Sequence, residues 1–262
     1  MASLLFSSET YAEFETQVEE YWEADEGYRL ADVEYIDGSW TGVFVDAANG
    51  NAFYAEDSWT TLSEKIEKAW DENYDLVDLE YFDGKWVGVM GDNSGTSGYA
   101  MADDWNEFSE SANDKWDKGY DLVDIEYTDN GKIVGVFGDY IGYGGGYFSS
   151  DSLTGFKEEI GKKFEDGFDL TGVEYVEDTW VGVYRPDSYR ISAYSVGNSE
   201  EEFREKLDIR TEQGFDLVDI EQTGDTWFGI YEKPSSFISE EQELGDRHTV
   251  NMAHLDLIFA DF

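Results

Sequence analysis

Glutamate recurs at one place in a phrase that this chain repeats. "GYRLADVEY" at 27–35, "NYDLVDLEY" at 73–81, "GYDLVDIEY" at 119–127, "GFDLTGVEY" at 167–175 and "GFDLVDIEQ" at 214–222 place Glu34, Glu80, Glu126, Glu174 and Glu221 at the eighth position. Asp32, Asp78, Asp124 and Asp219 stand two residues earlier, with Gly172 in the fourth copy. Carboxylates that a repeat brings to one axis cannot all stay ionised without counter-charge. A cation can sit among them, basic residues can reach in, or their pKa values can rise. Oxygen ligands of this kind suit calcium better than zinc. Glu34, Glu80, Glu126, Glu174 and Glu221 are therefore candidate metal ligands, and calcium is the candidate ion. The competing reading is structural: each glutamate holds backbone amides of the next unit or pairs with a lysine.

The elements that must position these carboxylates repeat with them. Gly27, Asn73, Gly119, Gly167 and Gly214 open the copies at spacings of 46, 46, 48 and 47 residues, a period typical of solenoids and propellers. Before each copy comes a helical pattern. "SWTTLSEKIEKAWDEN" starts at the N-cap residue Ser58 and lines up Leu62, Ile66, Ala69 and Trp70, and Phe156, Ile160 and Phe164 do the same behind Asp151 or Ser152. The opening glycines, and Asn73, suit left-handed C-caps. The phrase itself alternates as a strand, which predicts Val123, Ile125 and Tyr127 toward the helix layer and Leu122, Asp124 and Glu126 away from it. Asp83-Gly84 predicts a tight hairpin to "KWVGVM". A short fourth strand follows a variable loop, as in "NAFYAED" and "ISAYSVG".

The fold class read from this is an α+β repeat protein of five α-β-β-β units in a closed, pseudo-five-fold, propeller-like ring, with an open solenoid as the alternative. The units lie near 9–54, 55–101, 102–149, 150–196 and 197–233. Residues 1–8, "MASLLFSS", resemble a fourth strand without a unit before it, and are expected to close the ring beside the strand at 226–231. The repeat ends there, and 234–262 form a divergent tail whose "DLIFADF" also resembles a fourth strand. Gly42, Gly88, Gly135, Gly182 and Gly229 recur on the second strand, where a small residue lets neighbours approach. Trp22, Trp70 and Trp116 on helix ends, and Trp40, Trp86, Trp180 and Trp227 on strands, read as core rather than as a sugar-stacking platform.

The 262 residues carry 61 acidic and 17 basic side chains, a net charge of −44, with 17% aromatics. That aromatic load argues against disorder. The charge repels nucleic acid and anionic membrane, and its natural partners are a basic protein or cations. With no cysteine, disulfides, thiolate catalysis and zinc–sulfur sites are excluded. No apolar run approaches membrane-spanning length and no signal peptide is legible, so a soluble, cytoplasmic protein is expected.

The pattern Trp70-x-x-Asn73-Tyr74, Trp116-x-x-Gly119-Tyr120, "WVGVM" at 86–90 and "WVGVY" at 180–184 resembles a known tandem repeat. Similar repeats follow the kinase domain of plant casein-kinase-like kinases and occur in bacterial tandem-repeat proteins. The resemblance covers roughly residues 10–232 and implies an accessory module rather than an activity. The order of strands and helix also resembles the five-fold propellers of guanidine-modifying enzymes, in fold alone.

Catalytic constellations are not legible. Those enzymes work with a cysteine, and "GYGGG" at 142–146 reads as a hairpin loop rather than a phosphate cradle. "DNSGTSG" at 92–98 and "DNGK" at 129–132 lack the ligand spacing of a calcium loop. His248 and His254 lie in the tail, spaced for neither helical nor strand metal binding. The expected function is therefore non-catalytic: an acidic repeat module that binds or scaffolds a basic protein or cations. One alternative is a carrier or docking scaffold whose tail, through His248, Leu255, Leu257, Ile258, Phe259 and Phe262, is recognised or processed by a partner. Another is a carbohydrate or small-ligand binder using Tyr140, Tyr143 and Tyr147.

Overall fold

The computed structural model describes residues 3–23, 28–46, 51–92, 96–128, 130–138, 145–186 and 190–234. The tail residues singled out above, with Tyr140 and Tyr143, lie outside them. The order is β1 (Leu4–Ser8), α1 (Tyr11–Glu23), β2 (Tyr28–Ile36), β3 (Ser39–Asp46); β4 (Asn51–Glu56), α2 (Trp59–Asp71), β5 (Tyr74–Phe82), β6 (Lys85–Asp92). It continues with β7 (Thr96–Ala102), α3 (Trp105–Asp117), β8 (Asp121–Tyr127), β9 (Ile133–Gly138); β10 (Gly146–Ser150), α4 (Leu153–Glu165), β11 (Phe168–Val176), β12 (Thr179–Pro186). The last group is β13 (Arg190–Gly197), α5 (Glu200–Glu212), β14 (Asp216–Thr223) and β15 (Thr226–Pro234).

Local chemistry sets the helix ends. Ser58, Ser152 and Ser199 accept the backbone N–H three residues on, and Asp104 accepts those of Asn106 and Glu107, each satisfying donors that a first turn leaves open. After the helices, Asn73, Gly119, Gly167 and Gly214 adopt positive φ, the left-handed stop the sequence predicts.

Among the described residues the strands form five separate three-stranded antiparallel sheets, each with the hairpin's second strand in the middle. This corrects the expected unit. β1 pairs with β3, Leu4 opposite Phe44, and not with the strand at 226–231. Likewise β4 joins β6 and β5, so residues 51–56 belong to the second sheet rather than the first. Glu9 and Thr10 alone separate β1 from α1, and a link that short holds the strand against the sheet its own helix covers. The unit is therefore β-α-β-β, and the fifth sheet is completed by its own β13.

A second correction concerns alternation. Each first hairpin strand carries a β-bulge, between Leu30 and Asp32, Leu76 and Asp78, Leu122 and Asp124, Leu170 and Gly172, and Leu217 and Asp219. The extra residue returns the chain to the same face. Leu122 and Ile125 therefore both enter the core under α3, while Val123 packs against the core of the preceding unit.

Every helix is covered by the next unit. Phe14 and Val18 of α1 meet Val87 and Val89 of β6, and Leu62 and Ile66 of α2 meet Val134 and Val136 of β9. The α3 core takes in Val181 and Val183 of β12, and the α4 core takes in Phe228 and Ile230 of β15. Phe203 and Leu207 of α5 are covered by Val43 and Val45 of β3, so the first unit packs against the last. Trp40, Trp86, Trp180 and Trp227 are buried in these cores, and Trp70 and Trp116 pack against them, the structural reading of the tryptophans. Among the described residues no helix is long and apolar enough to cross a membrane.

The recurring glycines of the middle strands face this core rather than a neighbouring unit. A Cβ on Gly182 would lie 2.6 Å from Phe148 and 3.0 Å from Phe156, while one on Gly88 would lie 3.3 Å from Leu76. Overpacking against rings wedged between two layers costs roughly 1–3 kcal/mol. Gly182→Ala is thus expected to lower stability by that amount in denaturant unfolding, and Gly88→Ala by clearly less. Equal losses would show that the rings yield as easily as a leucine methyl.

Candidate cation site

The bulged strands carry the acidic positions. β2, β5, β8, β11 and β14 lie against one another in that order, and β14 lies against β2. In three of these strands a backbone N–H just beyond the bulge is taken by the aspartate of a neighbouring strand. Val33 N–H donates to Asp78 Oδ2 at 3.0 Å, Val173 N–H to Asp219 Oδ2 at 3.1 Å, and Ile220 N–H to Asp32 Oδ2 at 3.0 Å. The last of these joins the fifth unit to the first, as does Leu217 N–H donating to Ser3 Oγ at 2.6 Å. The structural role foreseen for the glutamates, holding backbone amides of the next unit, thus falls chiefly to the aspartates.

The glutamates converge. Glu34, Glu80, Glu126, Glu174 and Glu221 line one cavity of about 200 Å³ together with Tyr35, Tyr81, Phe82 and Tyr127. Each is 6–8% exposed. Oxygens of Glu34, Glu80 and Glu126 lie within 4.8 Å of one another, as do those of Glu34, Glu174 and Glu221. Glu80 Oε1 accepts from Tyr81 N–H at 2.6 Å and Glu221 Oε1 from Gln222 N–H at 2.7 Å.

Loss of water and mutual repulsion raise the carboxyls of Glu34, Glu126, Glu174 and Glu221. Burial pushes Glu34 well above the usual range, followed by the charges of Glu80, Glu221, Asp32 and Glu174. Glu126 and Glu174 rise for the same reasons, the largest charge effects coming from Glu174 and Glu221 respectively. Asp32, Asp78 and Asp219 rise too, through burial and neighbouring aspartates, against the pull of the N–H each accepts. Burial lifts Glu221 to about 8, opposed by the N–H groups of Gln222 and Tyr175, and Asp124 to about 7, opposed by that of Ile125. Such a group is a poor place for isolated anions and a good one for a cation with several oxygen ligands.

All five glutamates singled out from the sequence thus meet. Of the loop aromatics, Tyr147 is packed against Trp105, Phe108 and Trp116, in a core rather than on a binding surface. The sequence reading missed the division of labour between the aspartate and glutamate positions. It also missed Glu232 of β15, which is 5% exposed and bridges Arg185 of β12 and Arg190 of β13 at 2.6 and 2.9 Å. Nothing in the repeat announces it, because neither arginine recurs. No family model matches this chain, and no curated protein matches it.

Proposed function

We propose that this chain is a non-catalytic binding module: a closed, pseudo-five-fold ring whose axis holds a divalent cation, calcium by ligand chemistry, between Glu34, Glu80, Glu126, Glu174 and Glu221. One observation carries the reading, the convergence of five buried carboxylates on a single cavity. Covering the fifth core with strands of the first unit supports ring closure. Calcium accepts six to eight oxygens in flexible geometry, which five inward carboxylates can supply; magnesium demands a tighter octahedron. The bound ion would join all five units, so the same site that binds it makes the module rigid. The acidic balance of the chain, a net charge of −44, then favours a basic protein as the scaffolded partner, with binding that weakens as salt rises.

The test is thermal unfolding of EDTA-treated protein with and without millimolar calcium. Calcium at 100 times its Kd stabilises by about 2.7 kcal/mol, a shift of roughly 5–10 °C for a chain of this size. The shift is expected to vanish in a Glu80→Gln, Glu126→Gln, Glu174→Gln variant. Equal stabilisation by magnesium or by sodium chloride of matched ionic strength would show only general screening and overturn the proposal.

A further inference from the structure

The repeat is broken at one acidic position, Gly172. In the other units an aspartate stands there, and Asp32, Asp78 and Asp219 each take the N–H offered by the preceding unit's bulge. Glycine cannot take the N–H of Ile125, so Asp124 receives it from its own strand neighbour. Residue 172 faces Asp124, and a Cβ there would lie in ordinary contact with it, 3.5 Å from Asp124 Oδ1. The other oxygen, Asp124 Oδ2, is sealed from solvent without any hydrogen-bond partner. A carboxylate oxygen in that state has an unmet demand for a proton or a cation. The same carboxyl belongs to a cluster, since one oxygen each of Asp78, Asp124 and Glu126 lie within 4.8 Å of one another, a span that ligands about 2.3–2.6 Å from one calcium ion allow. Glu126 itself is 6% exposed.

We infer that Asp78, Asp124 and Glu126 form a second divalent-cation position, next to the five-glutamate site and sharing Glu126 with it. The inference rests on the cation-binding reading above and deepens it from one ion to two. The second position falls where Gly172 leaves the Ile125 N–H to Asp124. The first site uses what the five units have in common, and the second uses the one place where they differ.

Calcium titration of EDTA-treated full-length protein by calorimetry in 150 mM sodium chloride tests this. Wild type is expected to bind two equivalents and Asp124→Asn one, because asparagine keeps an oxygen for the Ile125 N–H but no charge. Glu174→Gln should instead weaken the other equivalent and leave the Asp124-dependent one. A single wild-type equivalent that Asp124→Asn leaves intact overturns the second position and keeps the first, as do two equivalents unaffected by Asp124→Asn. A single equivalent that Asp124→Asn abolishes and Glu174→Gln spares keeps the second position and overturns the first. No binding by wild-type protein, folded by circular dichroism, overturns both. The wild-type stoichiometry decides the number of ions even where a variant fails to fold.

Discussion

Without divalent ions, this protein should lose stability steadily as pH rises from about 5 to 9, and calcium should flatten the profile. The sign follows from the direction of the shifts. Glu34, Glu126, Glu174, Asp32, Asp78 and Asp219 are raised in the folded chain, Asp124 stands at about 7 and Glu221 at about 8. In the unfolded chain the same carboxyls titrate near 4. Between these limits the folded state binds more protons than the unfolded state, so unfolding free energy falls with rising pH. The contribution is fully present below the unfolded values and is lost as pH passes the folded ones, through about 7 for Asp124 and 8 for Glu221. For several such groups the total is of the order of a few kcal/mol or more. Surface repulsion acts in the same direction but is screened by salt, whereas the buried groups are screened much less. The measurement is therefore the melting temperature from pH 5 to 9 in 0.5 M sodium chloride with EDTA. A flat or rising profile would mean that the cluster keeps its charges compensated by other means. Calcium replaces the protons, so its binding should release protons below pH 8 and tighten as pH rises.

Much of this was legible because the chain states it five times. The period, the helix caps at Ser58 and Ser152, the Asp83-Gly84 hairpin and the convergence of the glutamates all follow from residue types at fixed offsets. The error in strand order came from the fourth strand. Its wording says that it is a strand and nothing about which sheet it joins, since pairing is a long-range choice that turn residues do not encode. The bulge was readable in principle. Leu122 and Ile125 are the most apolar residues of their strand and stand three apart, a spacing that a regular pleat sends to opposite faces. Only an extra residue puts both in one core. With the bulge in place, the aspartate position explains itself as the acceptor for an N–H that the pleat no longer pairs. Glu232, Arg185 and Arg190 were not readable, because they occur once and meet only when two units are placed side by side.

Glu232→Ala should be among the most destabilising single changes outside the cores. Glu232 Oε1 accepts from Arg185 and Oε2 from Arg190, so one nearly buried carboxylate holds two guanidinium groups from adjacent sheets. The arginine side chains are 22% and 41% exposed, which places the group between a buried triad and a surface pair. Removing one partner of a fully buried pair costs about 3–5 kcal/mol because a charge is left uncompensated, and exposed pairs contribute about 0–1 kcal/mol. Arg190 can turn to water, but Arg185 largely cannot, and its Nε is already buried without a partner. The expected loss is therefore about 2–4 kcal/mol, or roughly 4–16 °C in melting temperature. Glu232→Gln keeps one acceptor and the shape of the side chain, so it should recover part of the loss. Arg190→Ala should cost less than Arg185→Ala in the same chemical-denaturation assay. If Arg190→Ala proved the costlier of the two, the contact within the fifth sheet would outweigh the one that Arg185 makes from the fourth, and solvent access would not rank these contacts.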